Sequence, residues 1–499
     1  MNAFIQKISY TQILLMALFF RLGASIFSYG YGFHDDHFIT VEIARSWVDN
    51  YNESQWLPDA AQGVTSASGH SRFYPNILRY TMIGLESVGI INPEWVMFII
   101  RLMHALFSLL IVHYGYKISK KLFDENSSKA IALLLAVFWF MPMLSVRNLV
   151  EMVCIPPLMI GAYMLLNRDK TSFYYLLLAG FIAGMAVSVR FQCLIMVGGM
   201  GLALFIEQRW RDAIWYGIGA LLSIIVLQGI PDYFMWGLPF AEFIGYYDYN
   251  IKNSGAYPSG EWYNFILLIS GLMLIPLGIA VWFGYFKNIK KNIIIWLPAL
   301  LFLAFHSYFP NKQERFILPC VPFIIICGIG GWMQIENSSA FWSKNRKLLN
   351  GLYIFFILFN TILLFALSFS SSKANRVDAM NYLRKKGDVK AYIVETSHVT
   401  STIPLPRFYL GKWCDRYTVT QNESAEKLKA ELSEHPERTK PNYVVFMDEV
   451  QIGSRIVNFS RKYGKVHFET MIEPSPLDRF MTWINPVNEN QTTYVFRIE

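Results

Sequence analysis

Charged side chains are scarce in this sequence. Asp, Glu, Lys and Arg make up 16% of the 499 residues, whereas 54% are hydrophobic, and the mean hydropathy is +0.31. A typical soluble domain carries about 25% charged residues. So little charge cannot cover several soluble domains with a hydrated surface, so the composition predicts a membrane protein.

Cysteine is also rare, and two common enzyme motifs are missing. The five cysteines show no metal-binding spacing, and four of them lie in apolar runs. This favours small buried side chains over a disulfide framework. Neither a GxxxxGKS/T phosphate loop nor an H-E-x-x-H motif occurs. These absences argue against a nucleotide-driven pump and against a zinc metalloprotease.

Long apolar runs are abundant. The clearest are 8–28, 95–116, 130–144, 173–206, 265–286, 293–306, 316–332 and 348–370. Most approach or exceed the roughly 18–20 residues that cross a bilayer, and 173–206 is long enough for two helices. The first run contains Arg21 and no clear small-residue cleavage site, so it is predicted to be a retained helix and not a signal peptide. The pattern predicts a polytopic α-helical membrane protein.

Basic residues collect in short segments between these runs. Such segments are 117–129, 168–170, 209–211, 287–291 and 344–347, in a chain of net charge +8. Short basic loops lie on the cytoplasmic side by the positive-inside rule. We therefore expect a cytoplasmic N-terminus, about eleven transmembrane helices and no nucleic-acid partner. The outer loops include a long first loop (29–94) and a fourth loop (231–262).

The composition changes after residue 370. "KANRVDAMNYLRKKGD" and "ESAEKLKAELSEH" are typical of helices, and "VKAYIVE" and "NYVVFMDE" are typical of buried strands. Alternating strands and helices predict a small α/β domain. We expect a transmembrane catalytic domain at 1–370 and a soluble extracytoplasmic domain at 371–499.

Polar residues cluster in the segments predicted to face outward. They are His34, Asp35, Asp36, His37, Glu42, Arg147, Glu151, Arg190, Asp232, Lys312, Glu314 and Arg315. Ionisable groups near membrane depth are costly and usually face a polar cavity or a partner. A carboxylate can act as a general base, and Arg, Lys or His can bind a lipid phosphate. Tyr249, Asn250 and Trp262 suit a sugar ring. Each residue also has a structural interpretation, such as a helix-end acid, a snorkelling arginine or an interfacial aromatic.

Four segments resemble the membrane mannosyltransferases of the dolichol-oligosaccharide and GPI-anchor pathways and their bacterial relatives, in the GT-C superfamily. "FHDDHFITVE" aligns with their acidic "HPDE"-type motif and places Asp35 on its Asp, Asp36 on its Glu and Glu42 on a later Glu. The motif's His falls on Phe33, so His34 is displaced by one position. "SVRNLVE" is similar to a second segment through Arg147 and Glu151.

The other two segments follow in the same order. "DYFMWGLPFAEFIGYYDYNIKNSGAYPSGEWY" matches through Asp232, Gly237, Tyr249, Asn250, Gly255 and Trp262. "NKQERFILPCVP" matches through Lys312, Arg315, Phe316 and Pro319. The resemblance implies inverting transfer of mannose from a polyprenyl-phosphate sugar to a glycan or lipid-linked acceptor at the outer face, without a metal or other cofactor. A bacterial inner (plasma) membrane is expected, because the motifs are looser than those of the eukaryotic enzymes, and the eukaryotic endoplasmic reticulum is the alternative.

The resemblance also assigns roles to the residues. The first candidate for the catalytic base is Asp35 and the second is Asp36. Donor phosphate binding is expected from Lys312, Arg315, Arg147, Arg190 and His37, and substrate binding from His34, Glu42, Glu151, Asp232, Tyr249, Asn250, Trp262 and Glu314. Three alternatives stay open. They are a secondary transporter that uses the acid and arginine cluster, a GT-C enzyme for another sugar, and a receptor or assembly subunit whose outer domain does the work.

Overall fold

Helices dominate the computed structural model of the chain. It describes residues 2–53, 55–59, 63–167, 169, 172–255, 259–287, 289–398, 404–421, 424–486 and 490–499. The α-helices before residue 210 are Asn2–Lys7, Tyr10–Phe27, Ile43–Val48, Phe73–Ser87, Pro93–Leu122, Glu125–Val137, Met141–Ser145, Val150–Val153, Ile155–Leu165, Phe173–Val189 and Cys193–Ile206. The later ones are Trp210–Ile224, Ile230–Trp236, Ala241–Lys252, Asn264–Leu272, Pro276–Tyr285, Ile293–Tyr308, Val321–Ser338, Ala340–Lys344, Arg346–Ser368, Ala374–Lys386, Ala425–Glu434, Ile452–Lys462 and Pro476–Ile484. Two π-helical segments (Phe38–Glu42 and Ile225–Gly229) and two 3-10 segments (Glu314–Cys320 and Arg407–Leu410) adjoin them.

Five continuous helices among the described residues are long and apolar enough to cross a membrane. They are Tyr10–Phe27, Pro93–Leu122, Trp210–Trp236, Glu314–Ser338 and Arg346–Ser368. Shorter apolar helices accompany them, at Val150–Leu165, Phe173–Val189, Cys193–Ile206 and Ile293–Tyr308. The run 173–206 thus contains two helices, as predicted. The polytopic helical class is confirmed, while the number of eleven crossings stays a prediction.

The apolar run 265–286 is not one straight helix. Asn264–Leu272 and Pro276–Tyr285 meet at 117°. Leu274 and Ile275 have positive φ angles of 55° and 32°, and Pro276 cannot continue a helix from the preceding turn because it has no N–H. The apolar run was recognised, but average hydropathy does not detect this break in the backbone, and a crossing by this run stays a prediction.

The predicted fourth outer loop, 231–262, is also largely helical. Pro231 lies within the continuous helix Trp210–Trp236, just after its π-helical segment Ile225–Gly229, and the helix ends at Gly237 with a left-handed φ of 70°. Ala241–Lys252 forms a second helix within the same stretch. The segment 231–262 thus contains two helices, and its location on the outer side stays a prediction.

Contacts divide the chain into two compact units that interleave in sequence. The first comprises Met1–Ser25, Asn52–Tyr80 and Ile100–Ser368, and the second comprises Ile26–Tyr51, Thr81–Ile99 and Phe369–Glu499. The acidic motif at 33–42 therefore belongs to the same unit as the C-terminal α/β region. The domain boundary near residue 370 stays a prediction.

Two glycines allow one pair of helices in the first unit to pack closely. A Cβ on Gly180 of Phe173–Val189 would lie 1.9 Å from the carbonyl oxygen of Tyr216, and one on Gly219 would lie 2.1 Å from that of Leu177. Small residues let helix backbones approach where lipid offers no hydrophobic drive for association. The glycines thus hold Phe173–Val189 against Trp210–Ile224.

Arg21 is a fully buried arginine in the first long helix. Its guanidinium donates to the carbonyl oxygens of Ala136 (2.9 Å) and Leu135 (3.2 Å) and to Ser108 Oγ (3.0 Å). Ala136 and Leu135 lie in the last turn of Glu125–Val137, where backbone carbonyls lack intrahelical partners. Arg21 therefore satisfies and electrostatically complements a helix C-terminus.

The C-terminal region forms the predicted α/β fold, in the second unit. Its five strands are β1 Tyr392–Glu395, β2 Arg416–Val419, β3 Tyr443–Phe446, β4 Val466–Ile472 and β5 Thr493–Ile498, in the order β2-β1-β3-β5-β4. β1 pairs in parallel with β2 and β3, with Ile393 opposite Tyr417 and Val444. β5 pairs antiparallel with β3 and β4. Leu428 and Phe459, from Ala425–Glu434 and Ile452–Lys462, complete the core.

Candidate active site

The acidic motif forms a tight turn after the first long helix. Asp36 is buried, and its Oδ2 accepts a 2.8 Å hydrogen bond from the N–H of Gly32. Its Oδ1 is buried with no hydrogen-bond partner in the described chain. Asp35 is half-buried and His34 is exposed, with its ring stacked on Phe38 at 4.6 Å. The two neighbouring aspartates thus have different environments.

His37 and Glu42 lie beside this turn. The imidazole of His37 is buried between the rings of Tyr31 and Tyr409, each centred 5.6 Å away. Its Nε2 lies 3.5 Å from Glu42 Oε1 and has no hydrogen-bond partner among the described residues. Glu42 Oε1 accepts a 3.0 Å hydrogen bond from the N–H of Phe408. The Glu42 carboxylate therefore anchors backbone, in addition to any substrate contact.

Residues after 370 complete this cluster, which we call the acid cluster (Tyr31, Asp35, Asp36, His37 and Glu42). Arg376 Nη1 donates to the Tyr31 hydroxyl at 3.2 Å. Tyr29, just before the motif, donates to Asp378 Oδ1 at 2.9 Å. Because all these groups belong to the second unit, the fold ties the acidic motif to the C-terminal region.

The first unit contains a second cluster, which we call the arginine cluster (Glu151, Arg190, Arg315 and Phe316). Arg190 Nη1 hydrogen-bonds to Glu151 Oε1, and Arg315 Nε lies 3.9 Å from the same oxygen. Both guanidiniums lie over the Phe316 ring, at 5.1 and 5.6 Å from its centroid. Three of the predicted site residues, from three different sequence segments, thus come together.

Backbone geometry places Arg190 in this cluster. It follows the last residue of Phe173–Val189 in an extended conformation, and the next helix begins at Cys193. Arg190 therefore leaves the helical path and points its side chain at Glu151, on the short helix Val150–Val153. Arg315 comes from the 3-10 segment Glu314–Cys320, which holds Phe316 beside it.

Lys312 occupies a helix end. Its ammonium donates to the carbonyl oxygens of His306 (2.9 Å), Ser307 (2.8 Å) and Phe309. These carbonyls terminate Ile293–Tyr308, so the three ammonium donors have backbone partners. Burial lowers the pKa of Lys312 below its ordinary value. A contact between Lys312 and a donor phosphate stays a prediction and requires the ammonium to exchange these partners.

Asp232 takes part in a separate buried network. It accepts hydrogen bonds from Gln228 Nε2 (2.8 Å) and the N–H of Glu242 (3.0 Å), and lies 3.5 Å from Arg72. Arg72 also pairs with Glu242. Burial and Asp232 raise the pKa of Glu242, while Arg72 opposes the shift. Here Asp232 has structural partners, and its predicted substrate contact stays untested.

The other predicted site residues are more dispersed. Arg147 is buried at the end of Met141–Ser145. Tyr249, Trp262 and Glu314 are exposed, and the Asn250 amide donates to the Tyr246 carbonyl one helical turn away. The roles of these residues in substrate or phosphate binding remain predictions.

Several contact partners of the predicted site residues were not identified from the sequence. Arg376 and Tyr409 lie in a region where no motif was recognised, and Arg72 and Glu242 are single charges in different segments. Their position beside conspicuous acids depends on tertiary contacts. The repeated tyrosines of "YGYGF" directly before the acids were the one local signal for Tyr31.

Metal ligands are not grouped in the described part of the chain. No three His, Cys, Asp or Glu side chains there are placed to hold a metal ion. Metal independence stays an expectation.

Comparisons with known proteins decide the family. A sequence model of the Alg9-like mannosyltransferase family matches residues 12–407. The chain belongs to this family. GPI mannosyltransferase 1 of Kluyveromyces lactis is 26% identical over 314 residues, which are 61% of this chain and 70% of that protein. Mannosyltransferase APTG1 of Arabidopsis thaliana is 22% identical over 427 residues, 77% of this chain and 72% of that protein.

Solved structures share the fold. ArnT from Cupriavidus metallidurans, bound to undecaprenyl phosphate, matches with a TM-score of 0.60, 12% identity and coverage of 97% of both chains. The Archaeoglobus fulgidus oligosaccharyltransferase, crystallised with Zn and sulfate, matches with a TM-score of 0.51 and 11% identity, over 90% of this chain and 69% of that one. This chain is therefore a membrane glycosyltransferase of the GT-C type. The sequence analysis favoured this enzyme class over a transporter.

Proposed function

We propose that this enzyme transfers mannose, with inversion, from a polyprenyl-phosphate sugar to a hydroxyl of a glycan or lipid-linked acceptor. The family, the mannosyltransferase relatives and the undecaprenyl phosphate bound by ArnT support this assignment. The reaction takes place at the outer face of a bacterial plasma membrane whose cytoplasmic side holds the N-terminus, in keeping with the basic loops. It uses no metal or other cofactor.

The observation that carries the proposal is that the arginine cluster contains buried hydrogen-bond donors and a buried acceptor without partners among the described residues. Nε and Nη2 of Arg190 and Oε2 of Glu151 are buried without hydrogen-bond partners among the described residues. A buried donor or acceptor left unpaired costs about 1–3 kcal/mol, and more when it is charged. A phosphate oxygen would accept from Arg190, and a sugar hydroxyl would donate to Glu151. A glycosyl phosphate carries both groups.

An apolar cavity in the first unit suits the lipid part of such a donor. It measures about 400 Å³ and is lined by Val187, Phe191, Leu194, Leu221 and Phe243, among others. Val187 and Phe191 flank Arg190 in sequence. A polyprenyl phosphate combines a long hydrocarbon chain with an anionic head, and the wall of this cavity includes Phe191, the residue after Arg190 in sequence. This favours a lipid-linked donor over a soluble sugar nucleotide.

In the proposed reaction Asp35 is the general base. The acceptor oxygen attacks the anomeric carbon, its proton passes to the Asp35 carboxylate, and the bond from that carbon to the phosphate oxygen breaks. Polyprenyl phosphate leaves with the bonding electron pair, and its charge requires stabilisation by cationic groups. Asp35 is favoured because it is half-buried, whereas Asp36 is closed off and bonded to Gly32.

Transfer by purified protein tests the proposal. The detergent-solubilised chain would be incubated with radiolabelled polyprenyl-phosphate mannose and a lipid extract of its source cells. Label should move to an acceptor, and Arg190→Ala should abolish the transfer while Arg209→Ala, a change in a basic loop, should not. If the enzyme transfers glucose, arabinose or an aminosugar and not mannose, the proposed sugar would be wrong and the proposed type of reaction would still hold. No transfer from any lipid-linked sugar would overturn the proposal.

A further inference from the structure

The C-terminal α/β region contains a cavity that the proposed chemistry does not use. It measures about 340 Å³ and lies wholly among described residues of the second unit. Its lining includes residues beyond the carboxyl ends of three parallel strands: Thr396 and Ser397 directly after β1, Thr420 and Gln421 directly after β2, and Val450 four residues after β3. We call it the strand-end cavity.

The position of the strand-end cavity in the sheet is that of a ligand site in α/β folds. From β1 the chain goes to β2 on one side, and from β2 it crosses through Ala425–Glu434 to β3 on the other side of β1. The chain thus leaves β1 towards one edge of the sheet and leaves β2 towards the other. The loops that follow these strands separate, which opens a crevice at their carboxyl ends. In open α/β sheets ligands bind in such a crevice.

The walls of the cavity are held in place by a buried ionic network. Arg455 pairs with Glu395, the last residue of β1, and with Asp448, just after β3. Asp448 Oδ2 also accepts from the N–H of Ser397 (2.8 Å) and from Thr396 Oγ (3.2 Å). The loops after β1 and β3 are therefore fixed to each other, which preorganises the cavity.

The lining chemistry favours a neutral polyhydroxyl ligand. Hydroxyl and amide groups of Thr396, Ser397, Thr420, Gln421 and Asn458 are combined with an apolar wall that includes Phe459. Alternating donors and acceptors suit sugar hydroxyls, and an apolar surface suits a sugar ring.

The charges of the cavity argue against an anion. Helices begin nearby at Ser424 and Gln451, and helix N-termini favour negative charge. However, the Ser424 hydroxyl already accepts from the N–H of Lys427. The two cations of the lining, Arg455 and Lys462, also have carboxylate partners already, in Glu395 and Glu426.

We propose that the strand-end cavity binds a sugar unit of a glycan. This rests on the proposed function, since a glycosyltransferase with a glycan acceptor has a use for a second sugar site. The cavity would hold part of the acceptor away from the reacting hydroxyl, which raises the effective concentration of that hydroxyl at the catalytic groups.

Calorimetric titration of the full-length protein in detergent, without donor, tests the proposal. The probes are disaccharides of mannose, glucose and N-acetylglucosamine, and sodium phosphate at matched ionic strength. At least one disaccharide should bind, and Asn458→Ala or Gln421→Ala should weaken it about fivefold, the loss expected for one net hydrogen bond. Asn458 is exposed on its helix, so its replacement should leave folding intact.

Ser433→Ala is the matched control, since it removes a polar group from an exposed helix position outside the cavity. The proposal is overturned if no disaccharide binds, if only phosphate binds, or if the variants bind as tightly as wild type. Because no donor is present, sugar binding in a protein that transfers nothing would still support the cavity assignment. If the wild-type protein transfers sugar but the cavity variants bind disaccharide as tightly as wild type, the cavity assignment is contradicted and the proposed function is not.

Discussion

The carboxylate of Glu42 accepts a 3.0 Å hydrogen bond from the N–H of Phe408, a residue 366 positions later. Both groups are buried, as is the His37 imidazole beside them. The acidic motif is therefore held by the C-terminal region, which follows the last long apolar helix in sequence. A region that resembled no family motif thus helps to shape the loop that carries the candidate base.

Replacing Glu42 tests this link. Glu42→Ala should lower the transfer rate and the melting temperature together, because the Phe408 N–H loses its partner in a buried site. Hydrogen bonds to charged groups contribute about 1.5–3 kcal/mol. Glu42→Gln retains an acceptor oxygen and should restore most of the melting temperature. Thermal unfolding and transfer rate would be measured on the same samples. A Glu42→Ala protein with wild-type rate and stability would contradict the anchoring role.

Removal of residues 371–499 should abolish transfer, since it removes Arg376, Tyr409 and Phe408, which contact Tyr31, His37 and Glu42 of the acid cluster. Membrane insertion would be checked by fluorescence-detected size exclusion, so that lost activity is not confused with lost protein. A truncated chain that inserts and transfers sugar at the wild-type rate would show that the acidic motif needs no support from this region.

The arginine cluster predicts a specific defect for Arg190→Lys. A lysine retains the positive charge but cannot pair with Glu151 while presenting two further donors in a planar fork. If those donors bind the phosphate, kcat/KM for the lipid-linked donor should fall about 10- to 100-fold, as charge-assisted hydrogen bonds are lost. KM for the acceptor should change little.

Arg209→Lys provides the matched control. Arg209 also pairs with two carboxylates, Glu207 and Asp212, but lies in a basic loop outside the arginine cluster. Equal donor kinetics for both variants and wild type would remove Arg190 from donor binding.

Buried Arg21 predicts a stability defect without a specific catalytic one. Arg21→Met leaves the carbonyls of Leu135 and Ala136 unsatisfied, and each buried unpaired acceptor costs about 1–3 kcal/mol. The melting temperature in detergent should fall by several degrees, and Arg21→Lys should recover part of the loss. Lys121→Met, an exposed basic residue, should behave as wild type. Normal stability of Arg21→Met would mean that water or lipid satisfies these carbonyls.

The sequence predicted the elements whose signal is local. β1 and β3 come from β-branched apolar runs, and Ala425–Glu434 follows a serine whose hydroxyl accepts a backbone N–H as an N-cap. The break before Pro276 was missed because the flanking residues are as apolar as a continuous helix. The proline was visible, but hydropathy alone does not tell a kink from an end.

The candidate site was predictable only in part. Glu151, Arg190 and Arg315 were named from separate segments, and the structure joins them around Phe316. The partners of the acidic motif were not predictable, because contacts such as Tyr31 with Arg376 span 345 residues and depend on how the chain folds back. Local patterns report which residues are polar, whereas tertiary contacts decide which of them already have partners.

The different environments of Asp35 and Asp36 allow the base to be identified. Asp35→Asn should lower kcat by about 100-fold or more, the contribution typical of a general base. Asp36→Asn retains an oxygen that can accept from Gly32, so it should keep the turn and lose less than tenfold. The two variants serve as matched controls, since each replaces one carboxylate by an amide at neighbouring positions. Single-turnover transfer would be compared for proteins shown to be monodisperse. The reverse order would make Asp36 the base and mean that the turn opens when acceptor binds, while equal rates would remove both carboxylates from proton transfer.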